Sequence, residues 1–593
     1  MRPPMHASLV AVALAAAVLA PASARAQDDV KKQAPPPEPP KPAAPPPKAD
    51  DATMTPPTAD PFKPATGQPS APTAGAPAGP PQGVPPASDV VHNGDFMDTR
   101  LTWTFGDDDF TKPTGEAFPL SPKASVGDRP QYRLFFDGLN SRFAGRENLT
   151  HLVLYRKMPG YIENLDTEAA IVLRIDMSQL ASRTNNINNA LYDAGSYIRL
   201  FYKMGKGESG RPSGVDLIFF PLDTDRFRLG YLYDISWGGT AQSINQSIFP
   251  RLAGSAPGAK FQYTADRFYG FVGFKTAYIV EPQKKLTDSQ DIEFTRVQET
   301  NYGFLAGGGV DFTDNVRADV GLGYFQQGRF EQPDVQGERV YTVGGSARVV
   351  LHDNMPVPAS VDFQLYRNDP NAAMVIFRPE TYTPGQFSWA VTAEGTHLRQ
   401  NLKDFDRSGA TKLQGATAAA LQGTVKAGFS RVQVTGIFRD LAYVMRNQPG
   451  YIPFETMPSN AKLQPEMFFA LAYDYYIEKL RLTPNVSGGL QLPATFGSDQ
   501  TDKFNQDIGR TTVVRAQGSL SPLPEGKQRV PIIQARLSLR WEISSILAAV
   551  VWGQVIHDNN ATRLEKATDG TTLLRRFVAP DFIGAGTSLQ ARF

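Results

Sequence analysis

Through most of this chain, every second residue is apolar. From Ile533 to Ile543, Ile533, Ala535, Leu537, Leu539, Trp541 and Ile543 share one parity, while Gln534, Arg536, Ser538, Arg540 and Glu542 share the other. Side chains on a strand change faces at each step, so this period of two predicts a β-strand with one apolar and one polar face. The pattern recurs from Val316 to Tyr324, from Met467 to Ile477, from Leu480 to Leu492 and over the last twelve residues. It also recurs from Arg226 to Trp237, broken there only by Leu232. About 20 such segments fall between Asn93 and Phe593, spaced by roughly 20 to 25 residues, as strands joined by short turns and longer loops would be.

A soluble sandwich also alternates, but its two sheets must fill a limited core, and single domains seldom reach about 500 residues without splitting. No change of composition after residue 93 marks a second domain, and no fixed repeat points to a propeller. After the first 26 residues no apolar run is long enough for a spanning helix. A membrane-spanning chain of this kind must then close its strands into a barrel, because lipid offers backbone groups no hydrogen-bond partners. The fold predicted is all-β: one large antiparallel transmembrane barrel, residues 93 to 593, with an even strand number between about 18 and 22. Tyr231, Tyr233, Trp237, Tyr324, Trp389, Trp541 and Trp552 are expected in the aromatic girdles at the two membrane interfaces.

The ends of the chain agree. Residues 1 to 26 carry a basic start, an apolar stretch from Leu9 to Ala20 and the small-x-small Ala24-Arg25-Ala26, which predicts a cleaved signal peptide and a mature start at Gln27. The final strand ends on Phe593. A signal peptide, a strictly alternating last strand and a terminal Phe together resemble Gram-negative outer-membrane β-barrels. That resemblance implies an outer-membrane location, contact with lipid and lipopolysaccharide, and Phe593 as a signal to the barrel-assembly machinery.

Residues 27 to 92 are a different material. Twenty of the 49 prolines lie between Pro35 and Pro86, among Ala, Lys, Thr and Gly. Such a segment buries too little apolar surface to fold and reads as a disordered polyproline-rich arm, either a plain spacer or a tether to peptidoglycan or a periplasmic protein. It is too short and too poor in apolar residues to form a folded plug of the kind found in TonB-dependent transporters. The chain has 60 Lys plus Arg against 59 Asp plus Glu and no cysteine. Near-neutrality argues against a nucleic-acid partner, and the missing thiols rule out disulfides and a lipoprotein anchor.

A barrel of about 20 strands is too wide for side chains to fill, so inward charges should meet water. Arg481, Arg515, Arg536, Arg540 and Arg592 fall on polar faces of carboxy-terminal strands, with Asp474, Glu478 and Glu542 near them. Basic rows in a pore favour anions, and in this broad sense the wall resembles that of the general porins. The alternative is that the arginines pair with those acids and only hold the wall. No enzyme, cofactor or metal site is expected. His352-Asp353-Asn354 and His557-Asp558-Asn559 put His beside Asp, but neighbours on a strand point to opposite faces, so both read as turns. Asp107-Asp108-Asp109 lacks metal-loop spacing. Gly307-Gly-Gly309, inside a strand pattern, reads as a bend in the wall. Two functions stand: a channel for small hydrophilic solutes, or a non-conducting barrel acting as anchor, receptor or scaffold through the Pro-rich arm.

Overall fold

The computed structural model describes the chain from Arg100 to Arg592, apart from 108–124, 127–150, 159–161, 176–190, 208–211, 239–255, 287–291, 358–384, 446–454, 499–510, 515–519, 525–528, 569–572 and a few single or paired positions. Residues 1–26, expected to be a signal peptide, the Pro-rich segment 27–92 and Phe593 lie outside the described residues.

The described chain is dominated by one 20-stranded sheet, antiparallel throughout. Two members, Ser125–Val126 and Leu191–Asp193, are short side pieces, and the rest form the wall. In chain order the wall begins with β1 (Arg100–Asp107), β2 (His151–Met158), β3 (Leu165–Ile175), β4 (Tyr197–Lys206), β5 (Pro212–Phe220) and β6 (Gly258–Thr264). It continues with β7 (Phe268–Leu286), β8 (Ile292–Thr313), β9 (Val316–Arg329), β10 (Arg339–Asp353), β11 (Phe387–Lys403) and β12 (Thr411–Ala427). It ends with β13 (Ser430–Arg439), β14 (Glu466–Tyr475), β15 (Leu482–Leu492), β16 (Ile532–Glu542), β17 (Leu547–His557) and β18 (Asp581–Arg592).

Each wall strand from β2 to β18 pairs with the next, and β18 also pairs with β1 from Ala585↔Asp107 to Arg592↔Arg100. First and last strands of an open meander would sit at opposite edges. Here they are neighbours, and β1 in turn lies beside β2, so the sheet curls round on itself.

Which face meets which solvent is read from burial. On β14, Met467, Phe469, Leu471, Tyr473 and Tyr475 are exposed, while Glu466, Phe468, Ala470, Ala472 and Asp474 are buried. On β9, Val320 and Leu322 are exposed at 56% and 66%, while Arg317 and Asp319 are buried. Apolar side chains outside and charged ones inside invert the order of a soluble protein, which is the order lipid demands. Tyr324, Trp389 and Trp541 face outward, as expected for girdle positions.

The two rims differ. One carries tight connections such as 314–315, 428–429 and 543–546; the other carries long ones, among them 221–257, 440–465, 493–531 and 558–580. Short turns belong to the periplasmic side of such barrels and long loops to the outside. At the outer rim, Pro465 and Pro493 interrupt the β14–β15 ladder. Beyond them, strands Ala461–Gln464, Ala494–Ser498, Thr512–Val514 and Leu520–Pro522 form a small four-stranded sheet. The Arg529 guanidinium donates to the carbonyls of both prolines, at 2.5 and 2.8 Å.

Gly307 and Gly309 stand where the inner face is crowded. A side chain at Gly307 would strike the Phe271 ring, and one at Gly309 would strike Tyr269 and Asp319. Glycine there makes room for large groups on the inner face.

Candidate pore constriction

The alternation from Arg226 to Trp237 does not make a wall strand. The described residues of this segment, past the outer end of β5, pack against side chains on the inner face of the wall. Its alternation is satisfied by burial on the inner face. Phe227, Leu229, Ile235 and Trp237 are all completely buried. Gly230 and Gly238, with φ of +96° and +87°, break the extended backbone, and Leu229 and Trp237 exchange backbone hydrogen bonds across the resulting loop at 2.9 Å. Tyr231 and Trp237 are therefore luminal and not girdle residues; Tyr233 lies outside the described residues.

Four wall groups hold this loop. The Lys275 ammonium on β7 donates to the carbonyls of Thr224 and Gly238 at 2.9 and 2.5 Å, tying both ends of the loop to one side chain. The Trp237 indole N–H donates to Ser346 Oγ on β10 at 3.0 Å, and its ring meets Phe325 edge to face. The Glu394 carboxylate on β11 accepts the backbone N–H groups of Tyr231 and Leu232 at 2.7 and 2.9 Å. Gly230 permits this approach, because a Cβ there would stand 2.8 Å from Glu394 Oε1. The Arg348 guanidinium lies over the Tyr231 ring.

Behind the loop is a closed polar network. The Tyr231 and Tyr269 hydroxyls share a hydrogen bond of 2.7 Å, and Tyr269 donates to Asp319 at 2.9 Å. Asp319 also accepts from Arg317 at 3.0 Å and from Arg348 at 2.8 Å, and Arg317 reaches Asp311 at 2.9 Å. Burial pushes the Tyr231 phenol well above its usual range, so it remains a neutral donor or acceptor. A second outer connection meets the loop: the short helix Leu441–Met445, after β13, carries Tyr443, whose hydroxyl donates to the Ile235 carbonyl.

The carboxy-terminal wall is different. Arg536, Arg540 and Glu542 share the inner face of β16, as the alternation predicts. Arg536 and Arg540 are half-buried, whereas Arg317 and Arg348 under the loop are 4% and 5% exposed. The Arg536 guanidinium stacks 4.8 Å over the Trp552 ring. Trp552 therefore lies inside the wall, not in a girdle, because it shares the inner parity of Gln554 and Ile556 on β17. Asp474 is on the inner face too, but held: Arg431 and the Asn485 amide each donate to it at 2.6 Å. Glu466 is bound in the same way by Arg439 and Gln491.

Two of the expected lining residues lie elsewhere. Arg481, with φ of +51°, closes the tight turn Glu478–Leu480 at the periplasmic rim, and both Arg481 and Glu478 are exposed there. The turn takes these residues out of the alternation that assigned them to the lumen. Arg592 stands in β18 opposite Arg100, and Arg515 lies outside the described residues. His557 pairs with Asp581 on the next strand at 2.8 Å and with Asn559 at 2.7 Å, at an exposed outer-rim position. His352-Asp353-Asn354 closes a rim and is bridged by Asn315. Among the described residues, no group of three His, Asp or Glu side chains is placed to hold a metal.

Missed by alternation alone were the luminal loop and its holders Lys275, Arg317, Asp319, Arg348 and Glu394. The available signals were the break at Leu232 and the Gly238-Gly239 pair just past Trp237.

A curled antiparallel wall, apolar outside and charged inside, with an outer loop folded into it, defines the class of outer-membrane β-barrels. No protein-family model and no curated protein matches the sequence. Among solved structures, the chain is similar to OccAB1 of Acinetobacter baumannii at 10% identity and a TM-score of 0.38, covering 86% of this chain and 99% of that one. It is also similar to OpdK of Pseudomonas aeruginosa at 8% identity and a TM-score of 0.37, covering 84% and 98%. OmpT of Vibrio cholerae, an outer membrane protein, is similar at 8% identity and a TM-score of 0.32, covering 84% and 96%.

Proposed function

We propose that this protein is an outer-membrane channel for passive diffusion of small hydrophilic solutes, with a fixed constriction and a weak preference for anions. The observation that carries the reading is the loop 224–238, bound along the inner face of β7 to β11 while Arg536 and Arg540 remain half-exposed on β16. A loop held by buried charges and backbone hydrogen bonds is a permanent partition. It narrows the lumen on one side and leaves the passage to the carboxy-terminal wall.

Selectivity follows from which charged side chains remain partly exposed on the inner face. Asp474, Glu466 and Asp319 each have an arginine against them. The half-exposed Arg536 and Arg540 then bias the local field toward anions. The buried Glu542 on the same strand opposes them and keeps the preference weak. Arg515 and Arg592 are further candidates for this row. We also assign export to a signal peptide cleaved before Gln27, barrel insertion to recognition of Phe593 by the assembly machinery, and a periplasmic reach, to peptidoglycan or a protein, to residues 27–92.

Single-channel recording of the refolded protein in planar bilayers tests the reading. A steady small conductance that carries anions somewhat better than cations is expected. Absence of conductance from correctly folded barrels would hand the protein to the anchor, receptor or scaffold role.

A further inference from the structure

Between Arg536 and Arg540 the inner face of β16 carries Ser538, half-exposed as they are. The register sets Ser538 opposite Asn485 on β15, Arg540 opposite Thr483 and Arg536 opposite Ser487. Residues two apart on a strand are separated by about 7 Å, so Ser538 stands midway between two arginines whose positions are about 13 Å apart. Asn485, also half-exposed, has a fixed orientation. Its amide nitrogen donates to Asp474 at 2.6 Å, and Asp474 is itself held by Arg431 at 2.6 Å. The amide oxygen is left to the Ser487 and Ser538 hydroxyls, each 3.4 Å away. Both contacts are long for O–H···O bonds, so the amide oxygen and the serine oxygens keep accepting capacity.

The result is a mixed surface. Arginine offers only donors, whereas the Asn485 carbonyl and the Ser538 oxygen offer acceptors one step away. A bare anion uses the donors alone. A solute that carries an anionic group and several hydroxyls uses both. The ends of the row add to this surplus: Thr483 and Gln534, 7% and 1% exposed, each hold a side-chain oxygen with no hydrogen-bond partner among the described residues. The nearby acids bear on the choice of anionic group. Asp474 is paired, but the buried Glu542 lies two positions beyond Arg540 on the same face. In a field weakened by Glu542, a phosphate monoester, with a charge of about −1.5 to −2, gains up to about twice what a carboxylate gains. Arg536, stacked over Trp552, presents a planar guanidinium suited to a two-pronged contact with phosphate.

We propose that Arg536, Ser538 and Arg540 on β16, with Asn485 on β15, form a recognition site for phosphorylated sugars. An arginine holds the phosphate while Ser538 and Asn485 meet the ring hydroxyls. The inference rests on the channel reading and narrows its solute class. Several weak contacts suit a channel, since a solute must leave such a site as readily as it enters.

The test records KCl currents through the full-length protein in planar bilayers while glucose 6-phosphate, glucuronate, glucose or inorganic phosphate is added. Glucose 6-phosphate should reduce the current at a concentration roughly tenfold below that needed for glucose or inorganic phosphate, with glucuronate between. S538A, which spares the partners of Asp474, and N485L/S538A should bring glucose 6-phosphate to the level of inorganic phosphate and leave block by inorganic phosphate unchanged. R536A/R540A should abolish block by both. Equal block by glucose 6-phosphate and inorganic phosphate in wild type overturns the proposal, as does preferential block that survives in the serine variants or in R536A/R540A. Glucuronate as effective as glucose 6-phosphate overturns the choice of phosphate. Calorimetric titration of glucose 6-phosphate into the same detergent-solubilised barrels, with heat-modifiability as the check on folding, separates the two readings. Binding without current fails the channel reading and keeps the site, whereas current without binding fails the site alone.

Discussion

Glu394 is the residue on which the constriction most depends. Its carboxylate is the acceptor for two successive backbone N–H groups in a site where water does not replace it. In Glu394→Ala these donors are left buried and unpaired, a loss of about 2 kcal/mol or more. The expected result is a lower melting temperature together with larger and noisier single-channel currents as the loop detaches. A variant with unchanged conductance would mean that the loop is held without this residue. Gly230→Ala should act in the same direction, because its φ of +96° is strained for any side chain and the added Cβ would meet Glu394. Neither residue carries a signal in the sequence. A lone Glu within an alternating strand and a Gly after Leu229 become informative only once β11 is known to lie opposite the loop, a contact of 163 residues' separation.

At the scale of elements, alternation decides strands well and loops poorly. β9, β14 and β16 follow the predicted faces residue by residue, because a one-residue slip would turn charged side chains to lipid. The same grammar misassigned Arg226–Trp237, since a loop packed on an inner wall also needs an apolar side. Arg481 and Glu478 were misplaced because a tight turn resets the parity. Replacing 227–237 by a short Gly-Ser bridge should leave the barrel folded and raise its conductance, measured in planar bilayers; an unfolded barrel would show that the loop is part of the core. The outer loops give a pH prediction. Asp334 accepts the Gly409 N–H at 3.0 Å and the Ser408 hydroxyl at 3.1 Å, and Lys403 stands 3.3 Å away. The Gly409 amide hydrogen bond, first among these, holds its carboxyl below the usual carboxylate range. A lowered folded value means that the stabilisation is present above the unfolded value, about 3.9, and lost as pH falls through the folded one. Faster amide exchange at Gly409, beyond the intrinsic pH trend, should therefore set in only below about pH 4.

For the whole molecule, the fold class was legible because lipid imposes one rule on every strand, whereas the lumen imposes a different demand at each position. The inner wall sorts its cations into two groups. Arg317, Arg348 and Arg431 are buried against Asp319 and Asp474 and belong to the scaffold. Arg536 and Arg540 are half-exposed, and they should set the field that a solute meets. A field from two charges reaches about 10 Å at 0.1 M salt and about 3 Å at 1 M. Reversal potentials under a salt gradient should thus show a weak anion preference in dilute salt that fades as salt rises. Arg536→Ala with Arg540→Ala should remove that preference, while Arg481→Ala at the periplasmic turn should leave it nearly intact. Arg431→Ala should act differently again, destabilising the barrel by stripping Asp474 of its charged partner, with a cost of roughly 3 kcal/mol for a buried pair broken on one side. If Arg481→Ala shifts the reversal potential as much as the β16 pair does, the field arises at the periplasmic mouth and the path along β16 is wrong.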